Sequence, residues 1–278
     1  MGRIASRQFR SSQAAFAILV CTAFGSALAA PASTIPDFSS NGSGWQTGNG
    51  GDYGAVPGSP SPMRQDPAHP FVGNGQGKQP TYRIGDLTNP NLKQWAKDVM
   101  KKDNDEVLAG KIAYTPASSC KPAGVPAIDL QGGPFYFAQS PKEVTILLEQ
   151  DHQVRHVYLD VPHSKSPKPS WYGESIGHYE GGDTLVVDTI GLNTESFIDS
   201  YRTPHTGKLH VIERFKLVDE GKGMQISMTI EDPDTYNQPW QAMRNYRRME
   251  GTLQEEACAE NNQHLFDYHI PVADKADF

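Results

Sequence analysis

Between residues 135 and 249 the chain is cut into short segments by turn residues, and no other feature restricts its possible folds as much. Phe135–Ala138, Glu143–Glu149, Val154–Asp160, Ser175–Glu180, Asp183–Ile190, Leu209–Val218, Met224–Asp232 and Gln241–Met249 are each of strand length and either alternate apolar with polar residues or run apolar throughout. The connections at 150–153, 181–182 and 220–223 are hairpin-sized, so most neighbouring strands should pair antiparallel. About eight such strands in succession predict a mainly β domain. The expected form is an antiparallel up-and-down barrel of the lipocalin kind or a strongly curved sheet, with a two-sheet β-sandwich as the alternative. No internal repeat is present.

Upstream the period changes. Thr88 or Asn89 can cap a helix, and Pro90 suits its first turn. Leu92, Trp95, Ala96, Val99, Met100, Val107 and Leu108 then recur at steps of three and four. This predicts one amphipathic helix over 91–108, ended by Gly110, with Lys93, Lys97, Lys101 and Lys102 on its solvated side. Such a helix would cover one end or edge of the sheet. Residues 30–80 are crowded with Gly, Pro, Ser and Asn and hold few apolar residues, so they read as a flexible arm in which Trp45, Tyr53 and Phe71 are isolated. The expected organisation is a single β-rich domain over 81–278 behind that arm.

Residues 1–29 have the form of a secretory signal peptide. Arg3, Arg7 and Arg10 precede the apolar run Ala14–Phe24, and Ala27-x-Ala29 follows as a cleavage site. The run falls short of the roughly 20 apolar residues that a membrane span requires. A periplasmic or secreted protein, without membrane insertion after cleavage, is the expectation. Cleavage would take the formal charge from −7 to −10, because the leader holds three arginines and no acid. That acidity, with no Lys/Arg cluster, excludes a nucleic-acid binder. Cleavage also removes Cys21 and leaves Cys120 and Cys258 as the mature thiols. In an oxidising compartment these should form a disulfide, which the loop-entropy view values at roughly 5 kcal/mol; two free, buried thiols are the alternative.

Strand phase gives a handle on sites, because a titratable residue in register with apolar neighbours is buried or faces a cavity. In Leu209–Leu217 the odd row is Leu209, Val211, Glu213, Phe215 and Leu217, which puts Glu213 among apolar residues and His210 on the opposite face. Glu213 therefore reads as a buried acid or base, or else as the ion-pair partner of a neighbouring-strand arginine such as Arg155 or Arg244. His205, His210 and Glu213 have a spacing that also invites metal ligation, with His163 or His178 as a fourth ligand, but residues 210 and 213 point to opposite faces, so no metal site is assigned. Farther upstream, His178 and Glu180 share one strand row, where a carboxylate-oriented imidazole would suit acid/base work. The candidate catalytic set is His178, Glu180, His205, His210 and Glu213. No cofactor is expected, since neither a phosphate-cradling loop nor a dinucleotide fingerprint occurs.

The runs Cys120–Pro126, Trp171–Glu180, Asp183–Gly191, Pro204-His205, Leu209–Arg214 and Glu231–Pro233 resemble a family of exported bacterial proteins of unknown function that share GESIGHYEG-DTLVVDTIG and PH-LHVIER motifs. The resemblance covers roughly residues 85–265, with one departure at Glu180-Gly-Gly-Asp183, where a single Gly is expected. It implies no activity. The leading expectation from the residues is a small-molecule-binding barrel, extended to cofactor-independent acid/base catalysis (lyase, isomerase or hydratase) on an apolar or aromatic substrate. A non-catalytic ligand carrier and an envelope interaction protein are the alternatives.

Overall fold

The alternating segments pair edge to edge until the sheet meets itself. The computed structural model describes Gly2 and residues 35–39, 42–47, 51–72, 83–111 and 113–258. The expected signal peptide, apart from Gly2, lies outside these residues, as do residues 30–34, 40–41, 48–50 and 73–80 of the arm. Strands β3 (Phe135–Gln139), β4 (Glu143–Leu148), β5 (Gln153–Leu159), β6 (Glu174–Glu180), β7 (Thr184–Ile190), β8 (His210–Val218), β9 (Gly223–Glu231) and β10 (Trp240–Met249) lie side by side in chain order. β1 (Gly44–Thr47) pairs with both β3 and β10 and so closes a nine-strand barrel, while β2 (Gly54–Ala55) adds to β10 as an extra strand.

Inward rows such as Val144, Ile146 and Leu148 on β4 and Met224, Ile226, Met228 and Ile230 on β9 form a continuous buried core. Every pairing between these named strands is antiparallel except one. β5 and β6 run parallel from Val157↔Ser175 to Leu159↔Gly177, because the crossover at 160–173 carries the chain back before β6 begins. Gly177 permits the tight fit at that seam: a Cβ there would lie 2.7 Å from the Val186 carbonyl oxygen and 2.9 Å from Val157 Cγ1.

Two expectations are corrected. The arm at 30–80 is, in its described parts, built into the barrel. Trp45 is fully buried, with its indole N–H donating to the Phe38 carbonyl at 2.8 Å and Arg248 lying 4.1 Å over its ring. Phe38, Tyr53 and Met63 join the same core. The apolar residues are few, but each fills an interior slot, and the barrel edge supplies backbone partners for Gly44–Thr47. The helix α1 (Gln94–Leu108) starts later than predicted and buries Ala96, Met100 and Val107, whereas Trp95 turns outward and donates to the Asp234 carbonyl at 2.5 Å. Its end is as expected: Gly110 has φ +92°, and the Lys111 N–H reaches back to the Glu106 carbonyl at 3.0 Å.

Antiparallel register sorts the connections between the two ends of the barrel. The tight turns after β3, β6 and β8 lie at one end, and the long connection 191–209 between β7 and β8 lies at the other. That second mouth is plugged by residues 116–131. Gln153 accepts from the Ala123 N–H at 3.2 Å, Tyr246 donates to the Asp129 carbonyl at 2.9 Å, and Tyr53 donates to the Pro126 carbonyl at 2.9 Å. Val125 and Ile128 of this plug sit in the core. Cys120, at its start, is bonded to Cys258, with Cα atoms 5.5 Å apart. Among the described residues no helix is long and apolar enough to cross a membrane.

A chain beginning at Gln79 would lack β1 and expose the facing edges of β3 and β10. It should lose its cooperative thermal transition, and Trp45→Ala in the full chain should cost about 3–5 kcal/mol. A truncated protein that melts like the full one would contradict the closure.

Candidate functional site

The inward row of β8 carries Glu213 to the middle of the barrel, where it is fully buried, as its phase among apolar residues requires. Its partner is Arg155 from the inward row of β5. Arg155 Nη1 donates to Glu213 Oε1 at 2.9 Å, and Nη2 donates to Oε2. The same guanidinium donates from Nε to Ser175 Oγ at 3.2 Å and from Nη2 to Thr189 Oγ1 at 2.8 Å. Asp129, on the plug, lies in the same buried environment. Burial, reinforced by the negative charge of Glu213 and opposed by Arg155 and Arg244, pushes its carboxyl well above the ordinary carboxylate range. The neutral acid is therefore its favoured form in this setting.

The histidines are elsewhere. His178 and Glu180 do form the predicted pair, at 2.9 Å, but on the outer wall, where both are exposed and Glu180 also binds Arg214. His210 is on the outer face as well and meets Asp188 at 2.8 Å. His163 meets the same Asp188 oxygen at 3.0 Å and Glu174 at 3.0 Å, which fastens the β5–β6 crossover to the wall. His205 is buried in the connection 191–209, with its ring bound to Ser196 and to the Thr206 carbonyl. The set His178, Glu180, His205, His210 and Glu213 thus divides among the outer wall, the mouth and the core, and among the described residues no histidine is a hydrogen-bond partner of Glu213. The reason is the two-residue period: one sheet cannot present residues 210 and 213, or rows 175/177 and 178/180, to the same side. Among the described residues no three His, Cys, Asp or Glu side chains are placed to hold a metal ion.

What the arrangement offers a ligand lies at the plugged mouth. A cleft of about 270 Å³ opens between the plug and the connection 191–209; Ala127, Leu130 and Phe197 give it apolar walls, and Arg83, Gln131 and Asp199 give it polar edges. Asp199 is fixed by the Tyr201 N–H at 2.9 Å and the Thr203 hydroxyl at 2.7 Å, while burial raises its carboxyl pKa. Arg83 is held by Asp52 and by the Gly51 carbonyl at 3.0 Å. Apart from Cys120 and the run Cys120–Pro126 quoted for the resemblance, the plug residues and Ser196 escaped sequence reasoning, because they lie in segments without a strand or helix period. The length of the 191–209 connection was the available signal, since long connections in compact domains are usually functional.

No protein-family model, curated protein or solved structure matches the chain.

Asp129 gives the core a defined pH response. A carboxyl whose folded pKa is raised adds stability that is complete below its unfolded value of about 3.9 and is lost as pH rises through the folded value. Asp129→Asn, which keeps the shape and cannot ionise, should therefore be more stable than the parent at neutral and alkaline pH and show a flatter stability–pH curve. Urea melts between pH 4 and 9 will show this; a variant with the parent's pH slope would mean that Asp129 does not resist ionisation.

Proposed function

We propose that this is an exported small-molecule-binding barrel whose ligand occupies the cleft at the plugged mouth. The observation that carries the reading is the cleft itself, which is concave and of mixed polarity, and which draws its lining largely from two long connections set on a rigid barrel. Its volume is at the small end for ligand sites, so the ligand is a small molecule with an apolar or aromatic body for Leu130 and Phe197 and a hydrogen-bonding edge for Gln131, Gln150 and Arg83. Export rests on the leader pattern of residues 1–29 and agrees with a bonded cysteine pair. In this reading Glu213 is a structural residue bound to Arg155 and does not touch the ligand.

A thermal-shift screen of small aromatic and apolar acids, alcohols and amides should yield compounds that raise the melting temperature. A compound present at one hundred times its Kd should add about 2.7 kcal/mol. Gln131→Trp, which fills the cleft from a half-buried position, should abolish the shift while leaving the unliganded melting temperature within a few degrees. Compounds that bind Gln131→Trp as well as the parent would place the site elsewhere.

A further inference from the structure

Behind the cleft wall lies a pair of side chains that binding alone does not use. Ser196 Oγ is 2.9 Å from His205 Nε2, and His205 Nδ1 is 3.0 Å from the Thr206 carbonyl oxygen. A carbonyl only accepts, so Nδ1 carries the ring proton; in the neutral ring Nε2 is then a bare acceptor, and the Ser196 hydroxyl donates to it. Burial favours that neutral ring, because desolvation lowers the His205 pKa. Thr206 is itself anchored, its N–H donating to Asp232 Oδ2 at 2.6 Å and its hydroxyl to Asp232 Oδ1 at 3.0 Å. The hydroxyl, the base and the group that orients the base thus stand in series, as an activated serine requires.

We propose that Ser196 and His205 are the nucleophile and general base of an acyl-transfer site, which takes small carboxylic esters bound in the cleft and so rests on the reading of that cleft given above. The cleft wall reaches the pair from two sides. Phe197, next to Ser196, and Ala123, next to Gly124, both line the cleft. Gly124 is the cover over the serine, and it is a thin one: a Cβ at Gly124 would lie 2.7 Å from Ser196 Oγ, so no side chain fits between them. Ser196 and His205 are buried and are not themselves part of the cleft lining, so in this proposal an ester in the cleft reaches Ser196 Oγ when the Gly124 segment moves aside. In the reaction Ser196 Oγ bonds to the ester's carbonyl carbon while its proton passes to His205 Nε2. The bond from that carbon to the alcohol oxygen then breaks, and the departing alcohol takes the proton from His205. Water, deprotonated by the same imidazole, releases the acid and restores the serine.

The test is covalent labelling of the full folded protein with an alkyl fluorophosphonate, read by intact mass and peptide mapping. The expected result is one adduct, on Ser196, with labelling slowed about a hundredfold or more in His205→Gln. Hydrolysis of p-nitrophenyl acetate should be lost in Ser196→Ala. An unlabelled parent protein, or an adduct mapping to another residue, overturns the proposal whatever the variants do, because neither result depends on a variant folding. The two readings fail separately: compounds that bind the cleft of a protein whose Ser196 stays unlabelled remove the acyl-transfer site alone, whereas Ser196 labelling that Gln131→Trp leaves unchanged detaches the serine from the cleft.

Discussion

The buried pair Arg155–Glu213 is the interaction on which the rest of the barrel depends. Taking two charges out of water costs several kcal/mol for each ion, and only close geometry with every donor used offsets that cost. Here both guanidinium Nη atoms meet the carboxylate, and Nε is taken by Ser175. The four residues involved, Arg155, Ser175, Thr189 and Glu213, stand on β5, β6, β7 and β8 in turn. One side chain therefore ties four consecutive strands together from the inside. It does so across the parallel β5–β6 seam, which has only three residue pairs in register and no hairpin to set it. A slip of one residue in any of these strands would turn a member of the network outward and leave a charge unpaired in the core, so the network specifies register as well as adding to stability.

That arrangement also explains where chemistry is to be found. A barrel interior occupied by an ion pair and packed aromatic and aliphatic side chains leaves the strand network a structural part, and the groups able to meet a ligand move to the mouth. There the connection 191–209 is held by carboxylates with dedicated partners, Asp199 by Tyr201 and Thr203, and Asp232 by Thr206 and Thr235. Irregular backbone set this firmly can hold side chains in a fixed relation, as the Ser196–His205 pair requires.

The strands were legible because each signals its own phase. Glu213 could be placed inside from Val211 and Phe215 alone, and Arg155 could be named as a partner from neighbouring positions. Phase likewise showed that His178 and Glu180 share a row, but a row of Ile, His and Glu does not say which side of the sheet is wet, and that row is the outer one. β1 and β2 were not legible, since four and two residues in a Gly-rich stretch carry no period and are ordered by the edge they complete. The parallel seam was hidden for a related reason: a crossover such as 160–173 reads as a loop whichever way it returns. Ser196 meets His205 through the path of a loop, which local pattern does not encode.

A double-mutant cycle at Arg155 and Glu213, measured by urea unfolding at neutral pH, tests most directly whether this pair organises the barrel. Arg155→Met and Glu213→Gln should each cost about 3–5 kcal/mol, and Arg155→Met combined with Glu213→Gln should cost clearly less than the two single changes together, because no charge is then left buried alone. If Glu213→Gln instead unfolds like the parent, or if the costs add without coupling, the ion pair is not what holds the strands in register.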